Sequence, residues 1–258
     1  GIDPEEPFTC DQSPLTGVPI NVKTRAARLP IIHPGLGFLS ILLAGTGAAA
    51  DGLPLANYSL NDFSGSANCA ACHTTLRDQG GNDVSIDSHW RSTLMANAAK
   101  DPLWQAKMAS EVARNPALKE IIEAKCATCH TPVARTQAQV LGVPVALTGS
   151  GFLNPTNAFH GPAMDGISCS LCHQVTSDLL GTAASFGGGY VIDTDTTSPN
   201  RLIYGPFPDP FTRQMQNNLG FTPVQGTHMT GSAMCGSCHN LYTPYVDADG
   251  VVQGQFPE

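Results

Sequence analysis

Aromatic residues make up only 7% of this 258-residue chain, and charged residues only 13%. Large rings supply much of the area that a protein core buries, so their scarcity limits what the side chains alone can enclose. Hydrophobic residues reach 41%, but they share the chain with 26 glycines and 20 prolines, which break helices and strands into short pieces. Long apolar runs are missing too. The most apolar stretch, residues 31–50, is interrupted by His33, Pro34, Gly35, Gly37, Gly45 and Gly47, and it is too short and too broken to span a bilayer. Basic charge is also scarce, with 13 Lys and Arg against 21 Asp and Glu and a formal net charge of -8. Without a Lys/Arg-rich patch, nucleic acid is excluded as an expected partner. A length of 258 residues fits one large domain or two small ones.

Against this background one pattern recurs four times. It reads Cys69-Ala70-Ala71-Cys72-His73, Cys126-Ala127-Thr128-Cys129-His130, Cys169-Ser170-Leu171-Cys172-His173 and Cys235-Gly236-Ser237-Cys238-His239. Each copy is the attachment signature of a c-type haem. Two thiols add to the two vinyl groups of the porphyrin, and the adjacent histidine sits under the iron as proximal ligand. Two intervening residues let one turn of chain present both sulfurs to one porphyrin edge. A shuffled chain of this composition yields one such pattern in roughly one try in a hundred, so four copies are not an accident. They use eight of the nine cysteines. Zinc sites and redox-active cysteine pairs are the competing readings; neither explains a histidine directly after every pair.

Four haems change the expectation for the fold. The porphyrins become core material and the chain wraps them. The expected fold class is mostly irregular with short α-helices, a multihaem cytochrome c fold wrapped around a haem chain, with minor β hairpins. Residues 1–50 read as an extended N-terminal arm with an apolar segment, and residues 51–258 as a tetrahaem domain. Cys10, the odd cysteine, reads as a buried or unpaired thiol or as a link to another chain. Asn57-Tyr58-Ser59 is a glycosylation triplet, meaningful only in a host that modifies exported proteins. The chain opens at Gly1 with no signal peptide, so it reads as a mature, processed form.

Local signals place most helix between residues 88 and 125. Ser88 is an expected N-cap for a helix reaching about Ala99. Asp101 with Pro102 opens a second helix, and Asn115 with Pro116 opens a third that runs into Cys126. Tyr190–Ile192 is expected as a short strand, paired with Leu202–Tyr204. Residues 241–252 read as a hairpin around Asp247-Ala248-Asp249-Gly250. Asp247 and Asp249 could also begin a calcium loop, but the full twelve-residue pattern is absent. Phe207, Phe211 and Phe221 are candidates to pack on porphyrin edges.

Eight histidines are present, and four of them are proximal. The other four, His33, His89, His160 and His228, equal in number the open sixth positions. If each ligates an iron, all four haems are bis-histidine and closed, and the chemistry is one-electron exchange rather than bond making. The bland reading of each is a surface or core histidine. His160 and His228 stand 9 and 7 residues before the first cysteines of their motifs, so one segment can serve two adjacent haems. Met164 and Met229 are the rival axial ligands nearest the motifs.

The four motifs with their spare histidines resemble the multihaem c-type cytochromes of bacteria and archaea. The stretch Ser88-His89-Trp90-Arg91-Ser92 through Asp101-Pro102-Leu103-Trp104-Gln105-Ala106-Lys107 is similar to a segment common in one exported branch of them. The resemblance covers residues from about 69 to 250, and within the class it points to the tetrahaem extracellular cytochromes that polymerise into conductive filaments. It implies four heme c groups, attachment outside the cytoplasm, and a location that is extracellular or at the cell surface, with the periplasm second. It also implies electron transfer without catalysis, redox partner proteins or extracellular acceptors, and a homo-oligomer or homopolymer in which His33 could be given to a neighbouring subunit. A soluble shuttle, and an oxidoreductase acting on a small nitrogen or sulfur compound, are the alternatives. Relatives often continue past the position of Glu258 into further motifs.

Overall fold

The structure is a computed structural model, described here for residues 54–257. The expected arm at residues 1–50, with Cys10 and His33, lies outside the described residues. Within them the regular structure is mostly short helix. In chain order these are α1 (Ser66–His73), α2 (Ile86–Arg91), α3 (Pro102–Arg114), α4 (Lys119–His130), α5 (Pro132–Val140), α6 (His160–Met164), α7 (Cys169–Cys172), α8 (Thr212–Leu219) and α9 (Ser232–Gly236). Two open two-stranded sheets complete it: β1 (Arg201–Gly205) runs parallel to β2 (Phe221–Gln225), and β3 (Tyr242–Val246) runs antiparallel to β4 (Val252–Pro257).

The helix signals at Asp101 and Pro102 are realised directly. The Asp101 carboxylate accepts from the Leu103 N–H at 2.9 Å, and Pro102 holds the first helical position, where its missing N–H costs nothing. After Asn115 a single tight turn, Pro116–Leu118, leads into α4. Asn115 does not cap with its side chain; its amide donates back to the Glu111 carbonyl at 3.2 Å. Further upstream the boundary moves. The N-cap is Ser85 rather than Ser88, and α2 ends at Arg91, after which residues 93–100 continue as turns. The Asn97 side chain, donating to the carbonyls of Arg91 and Thr93, satisfies backbone groups that a longer helix would have used.

Two strand expectations part ways. The hairpin at 241–252 is present, with Asp247 accepting from the N–H groups of Asp249 and Val251 as an ordinary turn residue. Leu202–Tyr204 is a strand, but its partner is β2, reached through α8. Ile192 instead forms an isolated bridge with Val175. Gly220, at φ 73°, ends α8 in the left-handed conformation that turns the chain into β2.

The core is small and made largely of small residues. Met108, Ala127, Ala134, Ala138, Leu147, Phe152 and Ala163 form one cluster, where α3, α4, α5 and α6 meet. Phe63, Val133 and Leu171 form a second. Larger apolar side chains stand outside: Phe211 is 84% exposed and Leu94 87%. Of the three phenylalanines expected against porphyrin edges, Phe207 and Phe211 are exposed, whereas Phe221 is buried. Among the described residues, no helix is long and apolar enough to cross a membrane.

Candidate haem-attachment sites

All four motifs fold as helical turns. Motif one occupies the end of α1, motif two the end of α4, and motif three is α7 itself with His173 continuing at φ -73°. Motif four begins in α9, and the turn is carried on by the N–H groups of Cys238 and His239, which both donate to the Cys235 carbonyl. Helical spacing puts residues three and four apart on one face. Each motif therefore presents its two sulfurs on the face that carries the histidine.

The histidines are held in two ways. His130 Nδ1 lies 2.9 Å from the Ala98 carbonyl oxygen, and His173 Nδ1 lies 2.5 Å from that of Tyr204. A carbonyl only accepts, so Nδ1 carries the proton and Nε2 keeps its lone pair. That is the tautomer of a metal-ligating imidazole, oriented by a backbone acceptor. His130 is also stacked on Trp104, centroids 4.2 Å apart and planes 6° from parallel. Its burial pushes the imidazole's pKa down, favouring the neutral form that can ligate. His73 and His239 show no such side-chain bond among the described residues.

The expected distal set divides. His160 repeats the anchored pattern, with Nδ1 3.0 Å from the Phe152 carbonyl. His89 and His228 are turned the other way. Nε2 of His89 lies 3.1 Å from the Asp83 carbonyl, and Nε2 of His228 lies 2.9 Å from that of Val175. As placed, each offers Nδ1 instead. His89 is exposed beside a shallow apolar hollow that includes Val84, Ile86, Trp90 and Met95. His228 meets the Tyr204 ring edge-on at 4.9 Å.

The motifs touch in pairs. The thiols of Cys69 and Cys169 lie close enough to interact, as do those of Cys129 and Cys238. The Cys129 thiol lowers the pKa of Cys238 to about 7, while the same contact, with burial, pushes Cys129 up. Burial also pushes Cys172 up to about 12, helped by the nearby Cys238 and Cys235. No disulfide joins the described cysteines. Around motifs one and three runs a buried polar lattice. The Asp165 carboxylate accepts from the Ser66 N–H at 3.0 Å and from the Tyr58 hydroxyl at 3.1 Å. Ser170 Oγ donates to the Ser64 carbonyl at 2.7 Å, and the Arg201 guanidinium pairs with Asp62.

These residues fit a covalent haem. Paired thiols and a histidine share one turn four times over, and three anchored imidazoles keep Nε2 available. Gly188, at φ 89°, is a further fitting feature. A Cβ there would meet Thr128 Cγ2 at 2.1 Å and stand 3.7 Å from Cys129 Sγ, filling the space beside that sulfur. Among the described residues no three His, Cys, Asp or Glu side chains converge as a ready-made chelate. Haem iron needs none, because the porphyrin supplies four of its bonds and the chain only the axial ones. Backbone carbonyls as anchors, the Trp104 stack and the Asp165 lattice carry no signal in the sequence; Trp104 is legible only as a residue of the helix opened by Asp101 and Pro102. No protein-family model matches the chain, and no curated protein or solved structure matches it.

Proposed function

We propose that this chain binds four heme c groups and transfers electrons outside the cytoplasm, as a subunit of a homopolymeric filament. The supporting observation is the recurrence of the attachment motif on four helical turns, with Nδ1 of His130 and His173 anchored to carbonyls and Nε2 left for iron. Covalently held haem supplies one-electron exchange between ferric and ferrous iron. The chain's own residues do the rest. Cysteines fix each porphyrin edge, His73, His130, His173 and His239 serve as proximal ligands, and carbonyl anchors set ring orientation. His33, His89, His160 and His228 are the distal candidates. The alanine-rich core and the exposed large apolar side chains support a fold in which cofactors contribute buried surface.

A specific observation favours a second reading. His89 and His228 spend Nε2 on carbonyls. An iron left without its distal histidine keeps an open position, as a multihaem oxidoreductase requires. Expression of the full chain in a host that exports and attaches haem separates these readings. The expected result is an intact mass carrying four haems, with a low-spin bis-histidine spectrum and filaments in electron micrographs. A high-spin component that binds small ligands would move the assignment to the oxidoreductase. Discrete particles with the low-spin spectrum would leave a soluble shuttle. A haem-free mass in such a host would overturn the reading.

A further inference from the structure

We propose that the four attachment motifs follow one another in space as first, third, fourth, second, so that a haem chain held by them ends at His73 and His130. The order rests on the haem reading above and deepens it. Three junctions carry it.

Motif one meets motif three directly. The Ser170 hydroxyl both accepts from the Ser64 N–H at 3.2 Å and donates to the Ser64 carbonyl at 2.7 Å, and the Cys69 and Cys169 thiols lie close enough to interact. Motif two meets motif four through Cys129 and Cys238, and residues 187–190 tie the two together. Lys125 donates to the Gly187 carbonyl at 2.7 Å and the Tyr190 hydroxyl donates to that of Thr128 at 2.8 Å. From the same segment, the N–H groups of Gly187 and Gly188 donate to the carbonyls of Asn240 and Ser237. Motif three meets motif four where His228, seven residues before Cys235, reaches the Val175 carbonyl just past motif three and meets edge-on the ring of Tyr204, whose carbonyl anchors His173; Cys172 also lies near Cys235 and Cys238. Motif two also approaches motif three through Val133 and Leu171, but Val133 lies beyond the motif and the Cys129 thiol lies against Cys238 of motif four. Thioether sulfurs sit at the porphyrin edge, so adjoining sulfurs bring the porphyrins they hold edge to edge.

Iron positions test the order on the unaltered, haem-loaded chain. Anomalous scattering or a density map should give the shortest iron–iron separations for motifs one and three, three and four, and four and two. Motif deletion provides an independent readout, the exciton couplet in Soret circular dichroism. Removing the interior haem with Cys235→Ala/Cys238→Ala breaks two neighbour couplings. Removing the terminal haem with Cys126→Ala/Cys129→Ala breaks one, so the first variant should lose more of the couplet. A larger loss for the motif-two variant, or iron positions in chain order, would overturn the spatial order while leaving the haem reading intact. A native protein with Cys69–Cys169 and Cys129–Cys238 disulfides and no haem mass would overturn both.

Discussion

Motifs one and two have nearly the same sequence and are held by opposite means. Motif two ends a 12-residue helix packed on α3 and α5, in an apolar cluster of Met108, Ala127, Leu147 and Phe152. Its histidine is fixed by the Ala98 carbonyl and the face of Trp104. Motif one ends an eight-residue helix whose Cys72 is exposed. It is fastened to the rest of the chain by polar groups distant in sequence: Ser66 and Tyr58 on Asp165, Ser64 on Ser170, and Asp62 on Arg201. An identical chemical requirement, two sulfurs and an imidazole on one turn, is met once by local helix packing and once by long-range hydrogen bonds. The two solutions fail differently, because apolar packing degrades in proportion to lost contact whereas a buried polar lattice leaves unpaired charge behind.

The sharpest way to expose that difference is to break one anchor on each side. Arg201 is 2% exposed and Asp62 4%. Asp62→Ala leaves a guanidinium buried without its countercharge, a change that costs about 3–5 kcal/mol. Replacing both members with apolar residues of similar volume should recover most of that loss, since the charge itself is gone. Phe152→Ala, on the apolar side, should cost a similar amount, about 3–5 kcal/mol, with no second substitution that restores it by removing charge. Denaturant midpoints of the full haem-loaded chain decide. If the Asp62→Ala, Arg201→Met pair is as unstable as Asp62→Ala alone, the lattice does not work as described.

Acid titration sharpens the comparison further. Burial raises the Asp165 pKa above the ordinary aspartate value, against the lowering effect of Ser66 and Tyr58. A group whose folded pKa is raised binds its proton more readily when folded. Its contribution to stability is therefore fully present below the unfolded pKa and is lost as pH rises through the folded one. Glu123 on the apolar side has the opposite sign. Burial opposes its charge, but hydrogen bonds from Lys119, Thr148 and two backbone N–H groups outweigh it and lower its pKa. Its contribution is present above the unfolded pKa and fades as pH falls through the folded one. Asp165→Asn should remove the first dependence, leaving the acid limb steeper than in the parent, and cost about 1–3 kcal/mol at neutral pH through mismatched donors. Unchanged curvature between pH 3 and 6 in Asp165→Asn would count against this assignment.

Much of the apolar side was legible in the residues, and little of the polar side was. Asp101-Pro102, the periodic Trp104, Met108 and Val112, and a helix entering Cys126 are all local signals, so α3 and α4 could be expected from the sequence. Ser85 stands at the N-cap in place of Ser88 without capping through its side chain, whose Oγ is held by the Leu76 N–H and by Asp83; the contact with Leu76 is one that no local pattern contains. The parallel pairing of β1 with β2 was missed for the same reason: strand type is local, whereas partner choice is tertiary. At the candidate sites the motif histidines were plain, but whether a spare histidine presents Nδ1 or Nε2 depends on which carbonyl lies beside it. His160 and His228 look alike in sequence and are turned oppositely because Phe152 and Val175 approach different ring nitrogens.

The smallest expected effect concerns how the apolar side reaches its histidine. Asp101 accepts from the Leu103 N–H at 2.9 Å and so starts α3; Trp104 follows within the first turn and lies against the His130 ring. Asp101→Ala removes one cap bond at an exposed helix end, a loss of about 1 kcal/mol. Asp101→Asn and Asp101→Ser should restore most of it, because both side chains cap well. The stability change belongs to the cap. Any change in the orientation of the His130 ring belongs to the stack, and electron paramagnetic resonance of the ferric protein reads that separately from the other haems. A stability loss with unchanged resonances would mean that the Ala98 carbonyl alone holds the ring. Altered resonances in Asp101→Ala, restored in Asp101→Asn, would show that a capping bond nearly thirty residues upstream helps set the proposed proximal ligand, a coupling that motif one, with its short helix, has no counterpart for.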